Sequence, residues 1–216
     1  FEDIEVDSTA STSIKKMEGN FFNTDVGYGI IVDKRDQKFR PTQGYRTSFH
    51  QSIPLVQDSS SFANTFAAST YHDFSEDLIG SMKFLVKTIH GVDDDVRLTN
   101  RLYIPRSRLR GFNTYRVGPK DGDDYIGGNY LTTVSAEAQL PNLLPESYRT
   151  DVSVFLDTAN IWGVDYNGTI DETDKIRSAV GVSANIFTTV GPLSFTIAQD
   201  ITKHATDATE TFNFRL

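Results

Sequence analysis

Arg110, Glu137 and Asp157 are the residues of this chain whose types could act together. Arg110 sits in Leu109-Arg110-Gly111-Phe112, inside a long Gly- and Asp-rich segment of roughly residues 91 to 128. Its guanidinium is a rigid fork of five donors that fits a carboxylate. An Arg beside a flexible Gly and a bulky Phe is either a solvated loop residue or aimed into an enclosed space. In the second case an acid must meet it, because a buried unpaired charge is strongly destabilising. The chemistry on offer is electrostatic fastening rather than bond making.

Other constellations point away from catalysis. There are no cysteines, which removes thiol nucleophiles and Cys-based zinc sites. The histidines, His50, His72, His90 and His204, show no metal-ligand spacing. No G-x-S-x-G nucleophile elbow occurs, and Gly118 and Gly122 beside Pro119 read as turns rather than a phosphate cradle. The sequence therefore predicts no catalytic residue, no metal, no cofactor and no enzymatic activity. The net charge of −8 argues against a nucleic-acid partner. Its acids cluster in Asp93-Asp94-Asp95, in Asp121 to Asp124, and in Asp171-Glu172 with Asp174. These read as solvated loops, the alternative being divalent-cation contact at a membrane surface.

The elements that would position the three residues are strands. Apolar content is only 38% while aromatic content is 12%, a balance suited to apolar surface spread over alternating strands. In 150–162, Val152, Val154, Leu156 and Trp162 oppose Asp151, Ser153 and Asp157. In 129–140, Tyr130, Val134, Ala136 and Leu140 oppose Asn129, Thr133, Ser135, Glu137 and Gln139. Segments 177–187, 193–201 and 211–216 alternate likewise, as do those around Val26–Asp33 and Tyr45–Ile53. Those at 61–73 and 78–90 are noisier, with Lys83 and Lys87 on one face of the second. About nine strands result, many near the 9–11 residues a tilted membrane strand needs, against about 5–6 in globular proteins. No run approaches the roughly 18 apolar residues of a membrane helix. The expected fold is an all-β transmembrane antiparallel barrel, polar inside and apolar outside.

Short turns are expected at Pro41–Gly44, Phe74–Asp77, Pro141–Glu146 and Thr189–Pro192. Longer polar segments lie at 55–60, 91–128, 163–175 and 202–208, the pattern of periplasmic turns and extracellular loops. Residues 12–18 are expected to form a short surface helix. The longest segment holds Leu102, Tyr103, Ile104, Leu109, Phe112 and Tyr115, too apolar for disorder. Folding back into the lumen accommodates both its length and its composition. Glu137 and Asp157 are then polar-face residues of the next two strands, within reach of Arg110 at mid-height.

Several segments carry a family resemblance. Leu109-Arg110-Gly111-Phe112 resembles the (V/I)RGF loop motif of the BamA-type outer-membrane assembly proteins, the bacterial surface antigen family. Gly127-Gly128-Asn129 followed by Glu137 resembles their GGN…E element. Phe155-Leu156-Asp157-Thr158-Ala159-Asn160-Ile161-Trp162 resembles F-x-D-x-G-x-x-W, with Ala159 for the usual Gly. Asp33-Lys34-Arg35-Asp36 with Pro41 and Gly44 resembles a D-x-R-D…P-x-x-G hairpin. Ile176-Arg177-Ser178 with Gly181, and Gly191-Pro192-Leu193, resemble late elements of the family. The resemblance runs in order over about residues 24 to 216.

It implies that the chain is the last nine or so strands of a sixteen-stranded barrel, 1–216 being barrel domain without periplasmic POTRA repeats or early strands. It implies an inward-folded sixth extracellular loop whose Arg110 packs against Glu137 and Asp157. It also implies an outer-membrane location and a role in folding and inserting β-barrel proteins by templating strands at a lateral seam, where Phe212 and Phe214 lie. Expected partners are unfolded outer-membrane β-barrel clients, outer-membrane lipid and accessory assembly lipoproteins. The alternatives are a two-partner secretion or translocation pore of the same superfamily, which different upstream repeats would distinguish, a passive outer-membrane porin, and a soluble β-sandwich binding module.

Overall fold

The computed structural model describes residues 2–57, 60–92, 94–165, 175–189 and 191–215. Asp93, Asp171, Glu172, Asp174, Val190 and Leu216, each part of an expectation above, lie outside the described residues.

In chain order the strands are β1 (Glu2–Ile4), β2 (Gly19–Phe21), β3 (Asn23–Asp33), β4 (Gly44–Gln57), β5 (Ser61–Ser75), β6 (Leu78–Gly91), β7 (Lys120–Asp121), β8 (Asp124–Tyr125), β9 (Tyr130–Leu140), β10 (Thr150–Trp162), β11 (Arg177–Thr188), β12 (Gly191–Thr202) and β13 (Phe212–Arg215), with one helical turn, α1 (Thr12–Lys15). Nine of them form one antiparallel sheet in the order β13-β12-β11-β10-β9-β6-β5-β4-β3. Every strand read from the alternation is there, and sequence neighbours are sheet neighbours. The one connection between non-consecutive labels, β6 to β9, is the long loop that contains the hairpin β7–β8. No helix among the described residues is long and apolar enough to cross a membrane.

The alternation has a physical cause. In β10, Ser153, Phe155, Asp157, Ala159 and Ile161 are buried on the face that carries the loop, the luminal face. Val154 and Leu156 are exposed on the other. That outer face continues through Val134, Val180, Val182, Ile197, Phe212 and Phe214, all exposed. So broad an apolar surface suits contact with lipid. At the end of the sheet that bears the long loop, Tyr130 stacks on Trp162 at 5.7 Å and meets His90 at 5.3 Å, an aromatic belt suited to the headgroup level.

Two connections depart from the expected rhythm. Residues 55 and 56 are strand, and β4 runs on to Gln57 despite Pro54. Pro54 faces the register shift between Thr24 and Asp25, so its missing N–H interrupts a ladder that is already broken. Conversely, the β3–β4 connection spans 34–43, longer than a tight turn. The Asp36 carboxylate orders it by accepting from Thr42 N–H at 3.1 Å and Gln43 N–H at 3.2 Å. The expected helix at 12–18 shortens to Thr12–Lys15.

The core lies between loop and sheet. Leu109, Phe112, Val117 and Ile104 from the loop pack on Leu85, Leu131, Ala159, Ile161 and Ala179 of the luminal face. Each such side chain removed from water contributes about 1.5–3 kcal/mol, which is what holds a polar, Gly-rich loop inside.

Candidate functional site: the loop clamp

Arg110 is delivered to the wall by the short turn Arg106–Arg108 and by Gly111. Gly111 has φ +88, and an added Cβ would stand 2.9 Å from the Ala198 Cβ and 3.4 Å from the Ala179 Cβ. Only glycine meets both conditions. From there Arg110 engages Asp157 three times. Its backbone N–H donates to Oδ2 at 3.0 Å, Nε to the same oxygen at 2.8 Å, and Nη2 to Oδ1 at 2.9 Å. This is the bidentate fork, strengthened by a main-chain donor. Nη1 reaches Ser183 Oγ at 3.4 Å and Glu137 Oε2 at 3.6 Å. The Asp157 side chain is fully buried. Glu137 is satisfied separately, by Lys83 Nζ at 3.2 Å and Ser153 Oγ at 2.6 Å. Arg110, Glu137 and Asp157 thus stand together, with Asp157 the main partner and Glu137 mostly held by Lys83.

The sequence pattern missed the floor of this site. Phe155 lies luminal, between two lipid-facing residues, and the Arg110 guanidinium carbon sits 3.4 Å above its ring centroid. A ring there both desolvates the cation and attracts it through the quadrupole. Gly181 makes the room, since an added Cβ would be 2.6 Å from Phe155 Cζ and 2.3 Å from the Ile197 carbonyl oxygen.

The rest of the motif turns toward the last strand. Leu109 and Phe112 are buried. Phe112 forms an isolated bridge with Thr209, Glu210 N–H donates to the Gly111 carbonyl at 2.9 Å, and Asn113 N–H to the Ala208 carbonyl at 2.9 Å. Residues 208–210 lead directly into β13, where Phe212 and Phe214 face outward. β13 pairs with β12 over four residues, and its other edge has no partner among the described residues.

A second buried fork was not foreseen as a pair. Arg177, noted only within a motif, donates through Nε and Nη2 to Asp207 at 2.9 and 3.1 Å, both side chains fully buried. Asp207 also accepts from Gly118 N–H at 3.2 Å and His204 N–H at 2.7 Å, so it ties the loop to the connection before β13. No spacing marked this acid in the sequence. The acids at 121–124 are not all free in solvent either. Asp121 and Asp124 accept from the backbone N–H groups of Ser13 and Ser11 at 2.9 and 3.0 Å, docking the segment around α1 onto the β7–β8 hairpin. Hydrogen bonds from Ser13, side chain and then backbone, hold the Asp121 carboxyl below its ordinary value. These contacts fasten the loop to the wall and to the connection before β13.

Comparison with known proteins agrees with this architecture. The Omp85 superfamily domain matches residues 2–216. The outer membrane protein assembly factor BamA of Neorickettsia risticii is 26% identical over 216 residues, covering 97% of this chain and 29% of the relative. BamA of Neisseria meningitidis serogroup B is 24% identical, covering 92% of the chain and 29% of the relative. The human sorting and assembly machinery component 50 homolog is 24% identical over 125 residues, covering 56% of the chain and 26% of the relative. The chain thus spans less than a third of the length of these relatives. The crystal structure of BamA from Haemophilus ducreyi lacking POTRA domains 1–3 superposes with a TM-score of 0.78 at 23% identity, over 88% of this chain and 41% of that one. The apolar outer face and the bacterial relatives place the chain in the bacterial outer membrane. With a BamA-like barrel sheet, an inward loop and a domain match over nearly its whole length, the chain belongs to the Omp85 superfamily.

Proposed function

We propose that the protein to which this barrel segment belongs assembles outer-membrane proteins, folding and inserting β-barrel clients by offering a strand edge as template. A strand entering lipid must satisfy every backbone N–H and C=O, and an exposed sheet edge supplies partners as it enters. The observation that carries this reading is the position of the motif loop. It is anchored on the wall through Arg110 and Asp157, and it hydrogen-bonds the residues just before β13, a strand whose outer edge has no partner among the described residues. The loop is thereby a brace that holds the interior while the β13 seam opens and closes. Unfolded β-barrel proteins are the clients, and assembly lipoproteins are the accessory partners. The names of the bacterial relatives, which are assembly factors, support the same role.

Depletion of the full-length protein in its host tests the reading. Loss of many outer-membrane barrels from the membrane fraction, with their accumulation as unfolded periplasmic chains, is expected. Loss of one secreted protein with the barrels intact would overturn it in favour of a secretion pore.

A further inference from the structure

The hairpin Asp33-Lys34-Arg35-Asp36 with Pro41 and Gly44 takes no part in the clamp. It forms an arm at the end of the sheet opposite the long loop. Arg35 forks onto Asp33 at 2.9 and 2.8 Å, and its Nη1 donates to the Lys38 carbonyl at 3.4 Å. Gln37 Nε2 donates to the Arg40 carbonyl at 2.7 Å, and Asp36 accepts from the Thr42 and Gln43 N–H groups. Gly44 closes the base with φ +92, where an added Cβ would stand 2.2 Å from the Lys34 carbonyl oxygen. Braced in this way, the arm carries Phe39 and Arg40 at its tip. Arg40 has φ +50, a left-handed backbone that is costly for a residue with a side chain and persists where contacts fix it.

Those contacts lie across the lumen. Arg40 Nη2 pairs with Asp151 Oδ1, and its guanidinium carbon stands 5.1 Å from the Phe187 ring centroid. The Phe39 ring meets Phe187 edge-on at 5.5 Å. The arm springs from β3 and β4, whereas Asp151 and Phe187 belong to β10 and β11, with β5, β6 and β9 between them in the sheet. Asp151 and Phe187 fall in step with the luminal Ser153 and Ser183, so the arm meets the wall from inside. It does not lie flat on the strands that it passes. A cavity of about 410 Å³ lies between Phe39 and Arg40 on one side and Ile79 of β6 and Gln139 of β9 on the other. We propose that the tip of this arm is a releasable strap that closes the lumen at the end opposite the long loop. Its latch is weak, because Arg40 is 48% exposed and Phe39 65% exposed, and an ion pair so open to water contributes little. The internal hydrogen bonds of the arm keep its shape, so it leaves the wall as a unit when the latch parts. The strap governs entry to the lumen and stands separately from the templating of strands at the seam.

The test uses the full-length protein in lipid nanodiscs, with any cysteine outside this segment replaced by serine. Phe39→Cys with Phe187→Cys is expected to form a disulfide on mild oxidation. Phe39→Cys with Ile201→Cys, at the other end of β12 on the outer face, is the control and should not. In a second preparation Gln139→Cys, beneath the arm, is labelled with a maleimide-bearing polyethylene glycol, whose rate follows the open population when closing is fast. Phe39→Ala with Arg40→Ala should speed this labelling by about tenfold or more, the effect of losing one exposed ion pair and one ring pair. Tyr148→Ala, at an equally exposed ring on the neighbouring connection, should leave the rate unchanged. A disulfide between positions 39 and 187 that forms no faster than the control would overturn the proposal. So would unchanged labelling in the double variant, or an equal rise in Tyr148→Ala.

Discussion

Asp157 is the residue on which the clamp turns, because it has no way to be solvated if Arg110 leaves. Its side chain is fully buried and takes three bonds from one residue. Removing one partner of such a pair costs about 3–5 kcal/mol, mostly as the penalty on the charge left behind. Arg110→Ala is therefore expected to destabilise the barrel more than Asp157→Asn, which leaves a cation that is partly exposed and still near Glu137. Denaturant titration of the folded barrel in detergent checks the order. Exchanging the charges, Arg110→Asp with Asp157→Arg, should recover only part of the loss, since the exchanged guanidinium no longer lies on Phe155. Full recovery would show that the ring contact contributes nothing. Gly111→Ala imposes a left-handed φ on a residue with a Cβ and crowds Ala198, so about 1–3 kcal/mol is expected from the same titration. This scale was partly legible. The polar faces of 129–140 and 150–162 place Glu137 and Asp157 on one side of adjacent strands from the alternation alone. Phe155 was not legible, because an aromatic residue between Val154 and Leu156 reads as one more apolar position unless its luminal neighbour is known.

Among elements, the strands were readable and the connections were not. A strand between lipid and lumen must alternate, so β9 and β10 declare themselves. A connection is shaped by contacts far away in sequence. Asp207 gains its meaning from Arg177 and Gly118, and Asp121 from Ser13, 108 residues away. Two predictions belong here. Asp207→Asn should leave Arg177 buried with only neutral acceptors and lower the thermal midpoint of the barrel, while Asp200→Asn, near the exposed end of β12, should not; scanning calorimetry distinguishes them. The docking of α1 should depend on pH. The Asp121 carboxyl is depressed in the folded state, so its contribution is complete above the ordinary carboxylate pKa of about 4 and is lost as pH falls through the lower folded value. Amide exchange protection at Ser13 should persist at pH 6 and be lost as the pH falls below the ordinary carboxylate range. Unchanged protection at both values would mean that ionised carboxylates do not hold the segment.

For the whole molecule, stability should be uneven along the sheet. β10 is paired on both sides and carries the loop, whereas β13 has, among the described residues, one neighbour and outward rings. Hydrogen exchange in nanodiscs should therefore release β13 and its β12 partners well before β9 and β10. Uniform exchange across the sheet would remove the physical basis for a weak seam. The curvature of such a sheet around its loop was implied by strand length and number. The cross-link between loop and seam was not, because main-chain hydrogen bonds such as Glu210 N–H to Gly111 leave no mark in side-chain types.

Those main-chain bonds also set a route for mechanical load. A pull on β13 is carried first by the residues before it, then by their bonds to Gly111, Phe112 and Asn113, and then through Arg110 into Asp157 at the middle of the wall. The end strand and the deepest part of the barrel are coupled in series, like a cord tied off on an inside beam. Tension applied at the rim is borne at the beam, and the knot between them is three residues long.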